Sequence, residues 1–172
     1  MTMSFAFLVR SNMTHKEYIK MLEDSLVKKI ELLQVLQGLN QEQKNILEDY
    51  NTTPDELNEN MDKKSDIIDR LDKMDDGFQS LYDKIKDEIV NNKEDYSGEI
   101  KHMQELIKQI MDLSADVQAK ELQNKELAKT RFAHVRNQIR ETRHGQKAVA
   151  SYYASMMNNT GYEGSQFWEQ KK

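Results

Sequence analysis

Apolar residues recur every three and four positions along three long stretches of this chain, the spacing that lines one face of an α-helix. The first stretch, about 14–50, carries Tyr18, Leu22, Leu26, Ile30, Leu33, Leu36 and Leu47 on one stripe. The second, about 53–91, runs Leu57, Met61, Lys64, Ile68, Leu71, Asp75, Phe78, Tyr82, Ile85 and Ile89 in a 4-3 alternation. Eight of those ten are apolar, which predicts a helix packed along a coiled-coil-like seam. The third, about 97–158, opens with Ile100, Met103, Leu106, Ile107, Ile110, Leu113 and Val117 and turns polar between Gln118 and Glu126. Leu127, Val135 and Ile139 resume its stripe, followed by Val149, Tyr152, Tyr153, Met156 and Met157.

The starts of the first two helices are written in capping chemistry. Thr14-His15-Lys16-Glu17 is a capping box, in which the Thr hydroxyl takes the amide three residues on and the Glu carboxylate returns to the Thr amide. Met13 and Tyr18 flank it as a hydrophobic staple. Thr53-Pro54-Asp55-Glu56 repeats the device, with proline at the first helical position, where its missing N–H costs nothing. The polar run Asn91-Asn92-Lys93-Glu94-Asp95 ends the second helix. Residues 1–13 read as an N-terminal extension, 14–158 as one helical domain and 159–172 as a flexible tail. Met13, directly before the first helix, is a position from which a shorter natural chain could start.

The third helix outruns its neighbours. Between Ser97 and Asn158 there is no proline, and the only glycines are Gly98 and Gly145. An unbroken helix there spans ~90 Å, against ~55–60 Å for each of the other two, at ~1.5 Å per residue. The pattern therefore predicts an all-α fold: an elongated antiparallel three-helix coiled-coil-like bundle with a partly overhanging C-terminal helix. The overhang would carry an unsatisfied apolar stripe.

Composition narrows the class. One proline, six glycines and 32% charged residues suit long solvated helices rather than a sheet or barrel. Cysteine is absent, which excludes disulfides and thiolate chemistry. The apolar run Phe5–Val9 is too short to span a bilayer and lacks the flanks of a signal peptide, so the expectation is a cytoplasmic protein without membrane insertion. The net charge of −5 conceals an asymmetry: residues 48–99 hold 17 acids and 7 bases, while 120–147 hold 8 Lys/Arg and 3 acids. With no nucleic-acid motif and an acidic whole, the basic stretch reads as a solvated helix face.

Two Glu-x-x-His pairs, Glu99/His102 and Glu141/His144, have the spacing that helps build di-iron sites in four-helix bundles. Both sit on the same helix, ~63 Å apart if it is unbroken, so they cannot share a metal. His15 and His134 read as isolated surface histidines. No phosphate loop or nucleophile elbow accompanies them, and the expectation is a non-enzyme without cofactor or metal. The aromatics tell more. Five of the thirteen fall in the last 21 residues, among them Tyr162, Phe167 and Trp168 on a polar tail, where aromatics more often serve binding than core packing.

Several of these residues carry a family likeness. Leu57-(six)-Lys64-Ser65-x-Ile67-Ile68-x-x-Leu71-Asp72 is similar to the Leu…Glu-Lys…Leu-Leu…Leu pattern of FlgN-type flagellar export chaperones. Asn124-x-x-Leu127 resembles that family's Asn-Gly-x-Leu-Leu signature, with Lys125 at the glycine and Ala128 at the last leucine. Tyr162-x-Gly164 resembles its tyrosine-glycine tail. The resemblance implies a cytoplasmic type III export chaperone that binds hook–filament junction proteins through its amphipathic C-terminal region. It implies delivery to the flagellar export gate, with Tyr162 tied to docking there. The partner-binding set expected on both grounds is Val135, Ile139, Val149, Tyr152, Tyr153, Met156, Met157, Tyr162, Phe167 and Trp168. The alternatives are a chaperone for the filament cap protein and a structural coiled-coil protein that homodimerises through the same stripe; a homodimer is also an expected form of the chaperone in the absence of cargo.

Overall fold

Two capping boxes set the frame from which the helices grow. The computed structural model describes residues 13–157, with side chains to Ser151. It contains α1 (His15–Glu48), α2 (Pro54–Asn91) and α3 (Ser97–Met157), and all regular structure among the described residues is helical. At the start of α1 the Thr14 amide donates to Glu17 Oε2 at 2.8 Å, and the Glu17 amide donates to Thr14 Oγ1 at 3.3 Å. Thr53 and Glu56 make the same exchange at 2.6 and 3.4 Å, with Pro54 opening α2. The α1–α2 connection is tightened by Thr52, whose hydroxyl meets the Ile46 and Asp49 carbonyls at 2.8 Å each. Connections this short force consecutive helices to run antiparallel.

The chain divides into two compact units, Met1–Lys125 and Glu126–Lys172, with α3 contributing to each. In the first unit the apolar faces of all three helices meet. Leu26, Leu33 and Leu36 of α1 pack with Ile67 and Leu71 of α2 and with Leu106, Ile110 and Val117 of α3. A second cluster, Ile19, Leu22, Ile85 and Ile89, lies toward the α2–α3 connection, with Tyr96 and Ile100 packed against it. There His15 Nδ1 and the Tyr96 hydroxyl both approach Glu88 Oε1, at 3.2 and 3.4 Å. His15 is thus paired rather than isolated, because the start of α1 lies beside the end of α2. Partial burial, then the negative charge of Glu88 and the hydrogen bond to it, raise the Tyr96 phenol above the usual tyrosine range.

The seam of α2 differs from the 4-3 reading in one respect. Lys64, Leu71 and Ile85 are buried as the pattern has them, but Met61, Ile68 and Tyr82 are exposed. Their places, and that of Asp75, are taken by residues one position earlier: Asn60 and Ile67 are buried, and Met74 and Leu81 are partly buried. A helix wedged between two neighbours buries a broader face than a two-stranded seam does, and one residue is a ~100° turn around the axis. Asp75, read into the seam, instead pairs with Lys29 across the α1–α2 boundary.

Candidate partner-binding surface

Proline-free sequence from Glu126 onward keeps the backbone helical to Met157, and Gly145 sits within the helix with open space around its Cα. No residue from Glu126 to Ser151 is buried. Phe132 is 53% exposed, Val135 38% and Val149 55%, while Ile139 is partly buried. Spacings of three and four place Phe132, Val135 and Ile139 on one side of α3. Exposed Arg136 and Arg140 follow Val135 and Ile139 in sequence and border this row with positive charge. An apolar row edged by cations suits an amphipathic helix with acids beside its apolar face.

Among the expected partner-binding residues, Val135, Ile139 and Val149 are therefore at hand. The backbone of Tyr152, Tyr153, Met156 and Met157 continues α3, but their side chains lie outside those described. Tyr162, Phe167 and Trp168 lie outside the described residues altogether. Phe132 is the addition that the sequence reading missed. It stands between Arg131 and Ala133 in the basic stretch, and only its register with Val135 and Ile139 marks it.

Two positions of the family-like motifs have another role. Lys64 and Asn124 meet in a polar layer inside the first unit, where Gln43 Oε1 accepts from Lys64 Nζ at 2.8 Å and from Asn124 Nδ2 at 3.1 Å. Lys64, 6% exposed, also pairs with Glu121 at 2.7 Å. Asn124 Nδ2 donates to the Asn40 carbonyl at 2.9 Å, and Asn60 Nδ2 donates to the Leu39 carbonyl at 2.9 Å. All three helices contribute, so these motif residues fix the match between helices rather than face a partner. A buried lysine is tolerated because Gln43 and Glu121 satisfy it.

Asn40 is the least satisfied member of the layer, ahead of Asn60, whose Oδ1 also meets no partner among the described residues. The Asn40 side chain is 1% exposed, and neither of its polar atoms meets a hydrogen-bond partner among the described residues. Such a group costs ~1–3 kcal/mol. Asn40→Leu is expected to raise the midpoint of thermal unfolding by a few degrees, since ~1 kcal/mol is worth ~2–8 °C in domains of this size range. A lowered midpoint by calorimetry would refute the assignment.

The two Glu-x-x-His pairs lie in different units. His102 Nδ1 lies 3.5 Å from Glu23 Oε1 of α1, and Glu141 and His144 belong to the other unit. No cluster of potential metal ligands occurs among the described residues. Likewise, no helix among them is long and apolar enough to cross a membrane.

Comparison with known proteins gives one result. The family model described as FlgN protein matches residues 13–159. No curated protein and no solved structure matches.

Proposed function

Since the chain belongs to the FlgN protein family, whose members are flagellar export chaperones, we propose that it binds hook–filament junction proteins in the cytoplasm and hands them to the export gate. The observation that carries the binding surface is the row of exposed Phe132 and Val135 with partly buried Ile139 on α3. A helical end of the cargo, normally buried in assembly with its neighbours, would lay its apolar face on this row. By spacing alone, Met157 falls in line with Ile139, eighteen residues or five turns on. Methionine suits such a surface because its flexible side chain adapts to different apolar partners. Tyr152, Tyr153, Met156 and Met157 would extend the row, and Tyr162, with Phe167 and Trp168 beyond it, would meet the gate.

Each large apolar side chain buried is worth ~1.5–3 kcal/mol gross. Several together sustain micromolar binding or tighter once ordering costs are subtracted. The testing experiment is co-purification of hook–filament junction and filament-cap proteins with the intact chain and with a chain ending at Thr130, which lacks the whole row. That truncation leaves residues 1–125, the first unit, whole. Junction proteins retained by the intact chain and absent after truncation are the expected result. Retention of the cap protein instead would reassign the cargo. No cargo with either form, together with a stable homodimer, would replace the proposal with a structural coiled-coil role.

A further inference from the structure

The first unit carries a second apolar surface, between α1 and α2. It is a groove of about 570 Å³ lined by Met13, Tyr18, Met21, Met74, Phe78 and Leu81. On its α2 wall, Gly77 leaves open space: a Cβ built there meets nothing within 4 Å. Three methionines and two aromatics beside a wall that lacks a side chain at Gly77 make a trough shaped to receive side chains from outside.

We propose that the occupant is this chain's own N-terminal segment, with Phe7 and Val9, which share one face of an extended chain, lying in the groove as a strap. Met13 both lines the groove and is the first described residue, so the twelve residues before it join the fold at the groove's edge. Their apolar block is Phe5-Ala6-Phe7-Leu8-Val9, and its flank toward Met13 is polar, Arg10-Ser11-Asn12. The lengths agree. From Met13 to Lys28, which also lines the groove, α1 rises ~22 Å at ~1.5 Å per residue. An extended chain running back from Met13 at ~3.5 Å per residue brings Val9 to ~14 Å, Phe7 to ~21 Å and Phe5 to ~28 Å, so Val9 and Phe7 fall over the far half of the trough and Phe5 reaches past its end. Tethering adds to this, because a short linker holds the segment at a millimolar-range effective concentration. The FlgN family match begins at residue 13, which makes the strap a property of this chain in addition to its family role. The inference is independent of the cargo surface on α3.

The chain has no cysteine, so a pair introduced by mutation reports on itself alone. Phe7→Cys combined with Gly77→Cys is expected to close an intrachain disulfide under mild oxidation, read by mass spectrometry of the full chain. The new side chain at 77 has room, and replacing a mid-helix glycine favours the helix. The control pairs Phe7→Cys with Gln79→Cys. Gln79 is exposed, lies at nearly the same height on α2 and is turned ~200° away from Gly77. The Gly77 pair should form at least ten times faster than the control. Adding Phe5→Asp and Val9→Asp, on the same face as residue 7, should bring it down to the control rate. Equal rates for the two pairs, disulfides only between chains, or a rate that ignores the aspartates would each overturn the proposal.

Discussion

Glutamate at both Val135 and Ile139 is expected to weaken cargo binding by about a hundredfold or more while leaving the helix intact. The two positions are one turn apart at the centre of the exposed row, Val135 at 38% exposure and Ile139 partly buried. Removing an apolar side chain that the cargo would bury costs ~1.5–3 kcal/mol, and ~1.4 kcal/mol is tenfold in affinity. The charge penalty adds to this, since a carboxylate pressed into an apolar interface must be desolvated. Glutamate is the better probe than aspartate because it is a strong helix former, so weaker binding cannot be blamed on a melted helix. Arg136 and Arg140 stand next to the substituted positions and can only soften the effect by solvating the new charges. Asn137→Glu is the control. It is exposed and turned ~160–200° from the two targets, and should leave affinity unchanged. Titration calorimetry against the helical end of a junction protein, with circular dichroism of each variant, separates the outcomes. Unchanged affinity in the double variant would remove this row from the binding surface.

What the sequence discloses about this fold is local chemistry. Thr14/Glu17 and Thr53/Glu56 satisfy their own amides within four residues, so both helix starts are legible without knowing the tertiary structure. The stripe of α1 is legible for the same reason: Leu22, Leu26, Leu33, Leu36 and Leu47 repeat at helical spacing and are buried. The face of α2 is not. Choosing between Ile67 and Ile68, or between Asn60 and Met61, requires knowing on which sides of α2 its two expected neighbours lie, and the apolar member of the second pair is the exposed one. Nor does the sequence show that Lys64 goes inside. Its burial depends on Gln43 and Glu121, which are 21 residues before and 57 after it in the chain and become its neighbours only once three helices assemble. Motif resemblance picked out Lys64 and Asn124, but their spacing could not distinguish a partner contact from an internal one. The same limit hid Phe132 inside a basic stretch, although its register with Val135 and Ile139 is the signal that marks it.

The largest stability effect is expected at Leu22→Ala, with a loss of ~2–5 kcal/mol. Leu22 is 0% exposed and stands with Ile19, Ile85 and Ile89 in the smaller of the two apolar clusters. Truncation removes the transfer energy of the missing carbons and leaves a cavity. The surroundings cannot close it easily, because both helices are anchored close by: α1 by the Thr14 cap, α2 by the tight turn to α3. At ~2–8 °C per kcal/mol, the unfolding midpoint should fall by roughly 4–40 °C. Met61→Ala makes the informative comparison. It removes a side chain of similar volume from a position that is 52% exposed and that the 4-3 pattern of α2 had assigned to the seam. If the shifted face of α2 is right, Met61→Ala should cost less than ~1 kcal/mol, within the range of ordinary surface substitutions. Equal losses at the two positions would restore the 4-3 seam, which places Met61 inside, and displace Asn60 and Ile67 from the interior. Unequal losses, with Leu22 much the larger, would make the three-helix interior the structural base from which the exposed end of α3 can take part in binding.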